Sequence, residues 1–192
     1  MTNPKILVLA ASVRNGSFNA RLAARVGSGL EAAGASVTRV DLRDHALPIY
    51  DADLEAAEGI PAAATALHAL FRNHSGIFIA SPEYNANASP LLVNILTWLS
   101  RVTDGGGIAA AFGTPVFALG SASPGGFGGY RGLMALRNSL ELQLGARVLP
   151  TMVSAGSAHD AFDEFGNLRA AFPAQMLDRL VTELVATASA KA

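Results

Sequence analysis

The sequence predicts an α/β domain built on a doubly wound, five-stranded parallel sheet in the order 2-1-3-4-5, with helices on both faces. Three observations carry this reading. Strand-like apolar runs alternate five times with helix-like periodic stretches, and no repeat or linker interrupts the 192 residues. The runs at 6–10, 75–80 and 115–119 are continuously apolar, as strands covered on both faces must be. The remaining two carry charge or proline, which suits the edges of a sheet.

The first strand, 6–10, passes through a short polar loop into a helix predicted over 17–33. Phe18, Leu22, Val26 and Leu30 recur on one face of that helix, and Gly34 stops it. In the second strand, 36–42, Thr38, Val40 and Leu42 alternate with Val37, Arg39 and Asp41, which places it at an edge. Residues 43–59 show no clean period and are expected to form a long connection. Pro61 opens a second helix bearing Leu67, Leu70 and Phe71, and the strand 75–80 follows. Pro90 starts a third helix through Leu92, Ile95 and Leu99, which 104–107 break. The fourth strand, 115–119, leads into a glycine-rich stretch. A fourth helix then carries Leu133, Leu136, Leu140 and Leu144 up to Gly145. The fifth strand, 147–153, contains Pro150 and belongs at the other edge. A last helix spans about 173–186.

Composition removes several function classes. A net charge of −1 without a basic cluster or acidic tail gives no support to nucleic-acid binding or polybasic membrane attachment. The absence of cysteine excludes disulfides, thiolate catalysis and iron–sulfur clusters. No apolar run reaches the roughly 18 residues that span a bilayer, and no signal-peptide pattern is present. The chain is therefore expected to be one soluble, cytoplasmic domain over 1–192. His45, His68, His74 and His159 lack metal-ligand spacing and are read as solvated or helical side chains. Ser81 lies outside any G-x-S-x-G, which argues against a hydrolase.

In a 2-1-3-4-5 sheet, ligands bind beyond the carboxyl ends of the strands, near the switch point between strands one and three. Three unusual loops fall there: 12–17, 81–89 and 120–129. In the first, Ser12, Ser17 and Asn19 offer short donors, Gly16 allows close backbone approach, and Arg14 adds a cation. With a helix N-terminus behind it, this loop suits a terminal phosphate. Neither a Rossmann G-x-G-x-x-G nor a Walker loop is present. In the second, Pro82, Glu83, Tyr84 and Asn85 set a rigid turn beside an aromatic ring and an amide, as a flat heteroaromatic ligand requires. The third contributes exposed backbone N–H groups among five glycines and two serines. Taken singly, each loop is equally well an ordinary cap, proline turn or flexible connection.

Together the loops resemble those of the NADPH-dependent FMN reductase family. Its opening G-S-x-R-x-x-S-x-N pattern reads here as residues 11–19, with Ala11 in place of the glycine. Its P-E-Y-N stands intact at 82–85. Its S-P-G-x-x-G-G-x-R pattern is matched over 123–131 with slightly displaced glycines. The resemblance implies a flavodoxin-like fold and a bound FMN, with NADPH or NADH as co-substrate. It also implies a small-molecule electron acceptor and a homodimer or homotetramer. By the same resemblance Ser12, Arg14, Ser17 and Asn19 hold the phosphate. Pro82, Glu83, Tyr84 and Asn85 contact the ribityl chain and ring, and Ser121, Ser123, Gly125 and Gly126 face the ring. The helix after P-E-Y-N carries Val93 and Thr97 where the family usually has a lysine and an aspartate. An alternative is a flavodoxin-type carrier that binds FMN without turning over nicotinamide. Arg14 and the near-zero net charge argue against it, because flavodoxins resemble strongly acidic domains with an uncharged phosphate loop.

Overall fold

A computed structural model describes residues 3–191. Five strands, β1 (Lys5–Ala10), β2 (Ser36–Val40), β3 (Gly76–Ala80), β4 (Val116–Ala122) and β5 (Arg147–Ala155), pair in the order β2-β1-β3-β4-β5. All four pairings are parallel, as the sequence predicts. Among the described residues six α-helices join them: α1 (Phe18–Ala32), α2 (Ala52–Glu58), α3 (Ala62–Arg72), α4 (Pro90–Arg101), α5 (Tyr130–Asn138) and α6 (Ala171–Ser189).

The alternation of side chains along each strand divides the core in two. Ile6, Val8, Phe78 and Ala118 point to one face, where Leu22, Val26 and Leu30 of α1 and Leu177, Leu180 and Leu184 of α6 cover them. Leu7, Leu9, Ile77, Ile79, Phe117 and Leu119 point to the other, against Leu67 and Phe71 of α3, Ile95 and Leu99 of α4 and Leu133 of α5. Continuous apolar strands are thus the consequence of helices on both sides.

The region 43–59 departs from the expected irregular connection. β2 ends at Val40 because the Asp41 carboxylate accepts the Arg43 N–H at 2.9 Å and turns the chain into a 3₁₀ turn, Leu42–His45. The short α2 then follows, capped by Asp51, which accepts the Asp53 N–H at 2.8 Å. Its seven residues include no buried one, so the hydrophobic period that would have revealed it is missing. Between the two turns, Pro48 O accepts from both Trp98 Nε1 and Asn94 Nδ2 at 2.8 Å. The fully buried Trp98 meets the Tyr50 ring edge-on, so it is an internal anchor for this segment.

Two further boundaries move. Pro61 caps α3 from outside its first turn. The fourth helix widens into a π-type turn, Ser139–Gln143, after α5. At β5, Pro150 sits where the register with β4 slips, between the Val148 and Met152 pairings, so the missing N–H falls at an irregularity of the ladder.

The most consequential shift is in β4, which runs three residues past the expected end. Gly120, Ser121 and Ala122 pair with Val153, Ser154 and Ala155. Glycine at 120 reflects crowding, since a Cβ there would lie 2.9 Å from Phe78 Cζ. The third loop therefore starts at Ser123. Gly120→Ala should overpack this point and lower unfolding stability by about 1–3 kcal/mol, which denaturant titration would measure.

Candidate functional site

The three strand-end loops meet around a cleft of about 340 Å³. Ser12, Arg14, Ser17, Phe18 and Asn19 line it from the first loop and α1. Pro82, Glu83 and Tyr84 line it from the second loop, Ala122, Ser123 and Pro124 from the third, and His159 from beyond β5.

The first loop has the chemistry of an anion cradle. Ser17 caps α1 by accepting the Ala20 N–H at 3.3 Å. The N–H groups of Phe18 and Asn19 have no acceptor among the described residues, as expected in a first helical turn. Gly16 adopts φ +66°, and a Cβ there would meet no protein atom within 4 Å. Backbone conformation rather than crowding thus calls for glycine. Arg14 is exposed; its guanidinium contacts only the carbonyls of Asn15 and Gly16 and sits 5.3 Å from the Phe18 ring centroid. The nearby Arg39 and Arg43 are bound to Glu31 and Asp41, the latter held at about 2 by the Arg43 side chain and N–H. Arg14 therefore lines the cleft without a carboxylate partner among the described residues.

Asn19 lines the cleft and offers its backbone N–H to the cradle, but its side chain is engaged elsewhere. Its amide donates to Ala122 O and accepts the Ala122 N–H, both at 2.9 Å and buried. β3 ends at Ala80 and Pro82 diverts the chain, leaving Ala122 without a strand neighbour on that side. The Asn19 side chain fills the gap.

The second loop is a tight hairpin. Tyr84 and Asn87 exchange hydrogen bonds at 2.9 and 3.0 Å, with Asn85 at φ +53° and Ala86 at φ +59° between them. Two left-handed residues make a turn of the I′ kind, and they put Asn85 at the exposed tip, outside the cleft lining. Glu83 reaches the other way. Its carboxylate pairs with Arg131 and accepts the Gly132 N–H at 3.1 Å, tying the turn to the start of α5. Gly132 permits this approach, because a Cβ would lie 2.8 Å from Asn87 O. Burial raises the Glu83 pKa, but the Gly132 N–H and Arg131 outweigh it, and the group ends below its ordinary value.

In the third loop, Ser123 N–H donates to Ala155 O at 3.0 Å, and Ser154 Oγ donates to Phe127 O at 2.8 Å. Gly125 and Gly126 lie on the exposed arch rather than in the cleft lining. Ser121 is fully buried in β4, its Oγ has no hydrogen-bond partner among the described residues, and it packs under Gly129, whose φ of +84° and lack of Cβ allow the contact. The residues that sequence reasoning missed are Phe18, Ala122, Pro124 and His159. Phe18 was legible only as a core residue of α1, and His159 lies on a turn with no motif.

A parallel sheet with a phosphate-type cradle at the β1–α1 turn and a slot beside it defines a flavodoxin-like protein with a nucleotide-type site. The chain belongs to the NADPH-dependent FMN reductase family, whose model matches residues 4–160. It is 35% identical over 137 residues to a quinone reductase of Escherichia coli, covering 71% of this chain and 69% of that protein. It is 32% identical over 164 residues to an NAD(P)H-dependent FMN reductase of Pseudomonas aeruginosa, covering 85% and 84%. Among solved structures, a flavoenzyme NAD(P)H:(acceptor) oxidoreductase of Paracoccus denitrificans superposes with a TM-score of 0.76 at 22% identity, covering 98% of both chains. That likeness supports the fold.

Two outcomes follow for the second loop. Ala86→Gly should relieve the left-handed alanine and raise stability by about 1 kcal/mol, read as an increase in Tm. Glu83→Gln should cost about 1–2 kcal/mol at neutral pH. Because the folded-state pKa is lowered, the wild-type advantage is present above the ordinary carboxylate range and disappears as pH falls through the lowered value. Equal stability of the two proteins at pH 7 would contradict the strap.

Proposed function

We propose that this chain is an NAD(P)H-dependent flavin oxidoreductase that holds FMN in the strand-end cleft and reduces a quinone, free flavin, chromate or similar small acceptor. The observation that supports it best is the convergence of Ser12, Arg14 and Ser17 with Pro82–Tyr84 and Ser123–Pro124 around one cleft, in a member of this family. No helix among the described residues is long and apolar enough to cross a membrane.

The donor set fits the cofactor. The free N–H groups at the start of α1, the Ser12 and Ser17 hydroxyls and Arg14 together match a terminal phosphate dianion. Pro82 and Tyr84 give the adjoining wall a planar, partly apolar surface, and Glu83 holds that wall through Arg131 and Gly132. When bound, FMN would supply two-electron redox chemistry between a nicotinamide and the acceptor. The protein's contribution is alignment and exclusion of water from one face of the ring, so no acid–base dyad is required of it. In this reading Asn19 and Ser121 shape the site from behind, and the exposed turns bearing Asn85, Gly125 and Gly126 would offer backbone groups at the rim of the cleft.

The chain acts as one domain over 1–192 and assembles as a homodimer or homotetramer. Support for assembly comes from Val93 of α4 and Ile108, exposed apolar residues that line one groove. Sedimentation showing a monomer at micromolar concentration would overturn this part.

The test is a visible spectrum of the purified protein before and after FMN addition, followed by NADPH oxidation with a quinone. A flavin spectrum without turnover would favour the carrier alternative, and a protein that binds no FMN would overturn both. Arg14→Ala should weaken FMN binding by about 1.5–3 kcal/mol, the scale of a charged hydrogen bond, and titration with wild-type affinity would remove Arg14 from the site.

A further inference from the structure

We infer that His159 is a second cationic ligand for the flavin phosphate, so that its protonation strengthens the binding of FMN but not of riboflavin. The inference rests on the FMN reading of the cleft.

His159 is remote in sequence from all three loops, yet it lines the same cleft as Ser12, Arg14 and Ser17. Its position is built rather than incidental. Ala158 before it is fully buried and donates its N–H to Ser123 O at 3.1 Å. Asp160 N–H closes a turn on Ser157 O at 2.9 Å, with Ser157 in the left-handed region at φ +49°. The segment is then docked on the first turns of α1 by two contacts. The His159 ring meets Phe18 edge-on at 4.9 Å between centroids, and Arg21 lies 4.7 Å from the centroid of Phe162. Phe18 therefore stands between two groups that can be cationic, Arg14 over its ring and His159 at its edge. Phe18 is also the first residue of α1, whose free N–H groups form the cradle.

The charge surroundings agree with this role. The titratable and charged groups around His159 are Arg14 from the first loop, Arg21 from α1, Glu83 from the second loop and Asp160 beside it in the chain. Glu83 is engaged by Arg131 and Gly132. His159 makes no hydrogen bond or ion pair with any described residue, so its ring nitrogens remain available to a ligand. A phosphate with a charge near −2 is only partly compensated by Arg14 and the helix end, and histidine is the side chain whose charge changes between about pH 5 and 8.

The experiment measures dissociation constants of FMN and riboflavin by flavin-fluorescence titration of the purified apoprotein at about pH 5.5 and about pH 8. Wild type, His159→Gln and His159→Lys are compared, because the phosphate of FMN itself titrates near pH 6 and only the ratio between proteins isolates the side chain. His159→Gln should weaken FMN binding about 5–10-fold at the acid pH and less than about 3-fold at the alkaline one. His159→Lys should restore FMN affinity at both, and riboflavin affinity should hardly change. Equal FMN affinity of wild type and His159→Gln at both pH values would overturn the inference while leaving FMN binding intact. An equal loss toward riboflavin would overturn it too, because the side chain would then serve the ring or the local fold. Wild type that binds no FMN at either pH would overturn the reading on which it rests.

Discussion

The reciprocal pair of hydrogen bonds between the Asn19 amide and the Ala122 peptide is the constraint on which the site depends. It joins residues 103 positions apart, the first turn of α1 and the last residue of β4. A buried peptide group at a strand end must find partners or cost free energy comparable to a lost hydrogen bond. Ala122 has lost its neighbour on the β3 side, and a single carboxamide provides both a donor and an acceptor in the geometry a strand would have supplied. The effect reaches beyond Ala122. With α1 pinned to β4, the cradle at 12–17 and the loop beginning at Ser123 keep a fixed separation, and the cleft between them has a defined width.

The second wall is fixed by a different device. Glu83 leaves the β3–α4 turn and binds the start of α5 through Arg131 and the Gly132 N–H, while Gly132 removes the Cβ that would hold the two apart. Ser89 Oγ, which caps α4 by accepting the Leu92 N–H, also donates to Ala11 O at 2.9 Å and so ties the far end of the same turn to the first loop. Each loop is thereby fastened to another loop's element rather than only to its own. Mutual fastening permits short, irregular backbone at the sheet end, including the strained pair Asn85 and Ala86, to hold one shape.

Much of this was legible in the sequence. Apolar runs marked the central strands, because helices on both faces impose that pattern, while charge in the second strand and Pro150 in the fifth placed those at the edges and so suggested the order. The motif loops landed at the right strand ends for the same reason. What remained hidden depended on contacts without a local signature. Helix α2 buries nothing and so shows no period. β4 extends through Gly120–Ala122 because β5 continues alongside, and residue 120 is glycine because Phe78 crowds it, neither of which a glycine in a sequence announces. Asn19 reads as a phosphate ligand in the motif, whereas its amide is spent on a peptide 103 residues away. His159 reads as one more solvated histidine until the turn at 157–160 is seen docked against Phe18.

These differences also separate two kinds of residue that a motif merges. Ser12, Arg14 and Ser17 present unspent donors or charge to the cleft, whereas Asn19, Glu83 and Ser121 are consumed by, or buried in, the scaffold. The distinction has an electrostatic consequence. Arg39, Arg43 and Arg131 are each matched by a carboxylate, so in a chain of net charge −1 the positive charge near this cleft without a carboxylate partner among the described residues lies on Arg14, Arg21 and the start of α1. Localised charge of this kind is stronger where water is partly excluded, and it favours an anion held end-on at the helix over one spread along the surface. In the proposed FMN reading, charge would select the phosphate end of the ligand, while the rest of the cleft, walled by Pro82, Tyr84 and Pro124, would select by shape. That division would let the charged end of the cleft anchor the cofactor while the other end, set by the second and third loops, would decide what can approach it.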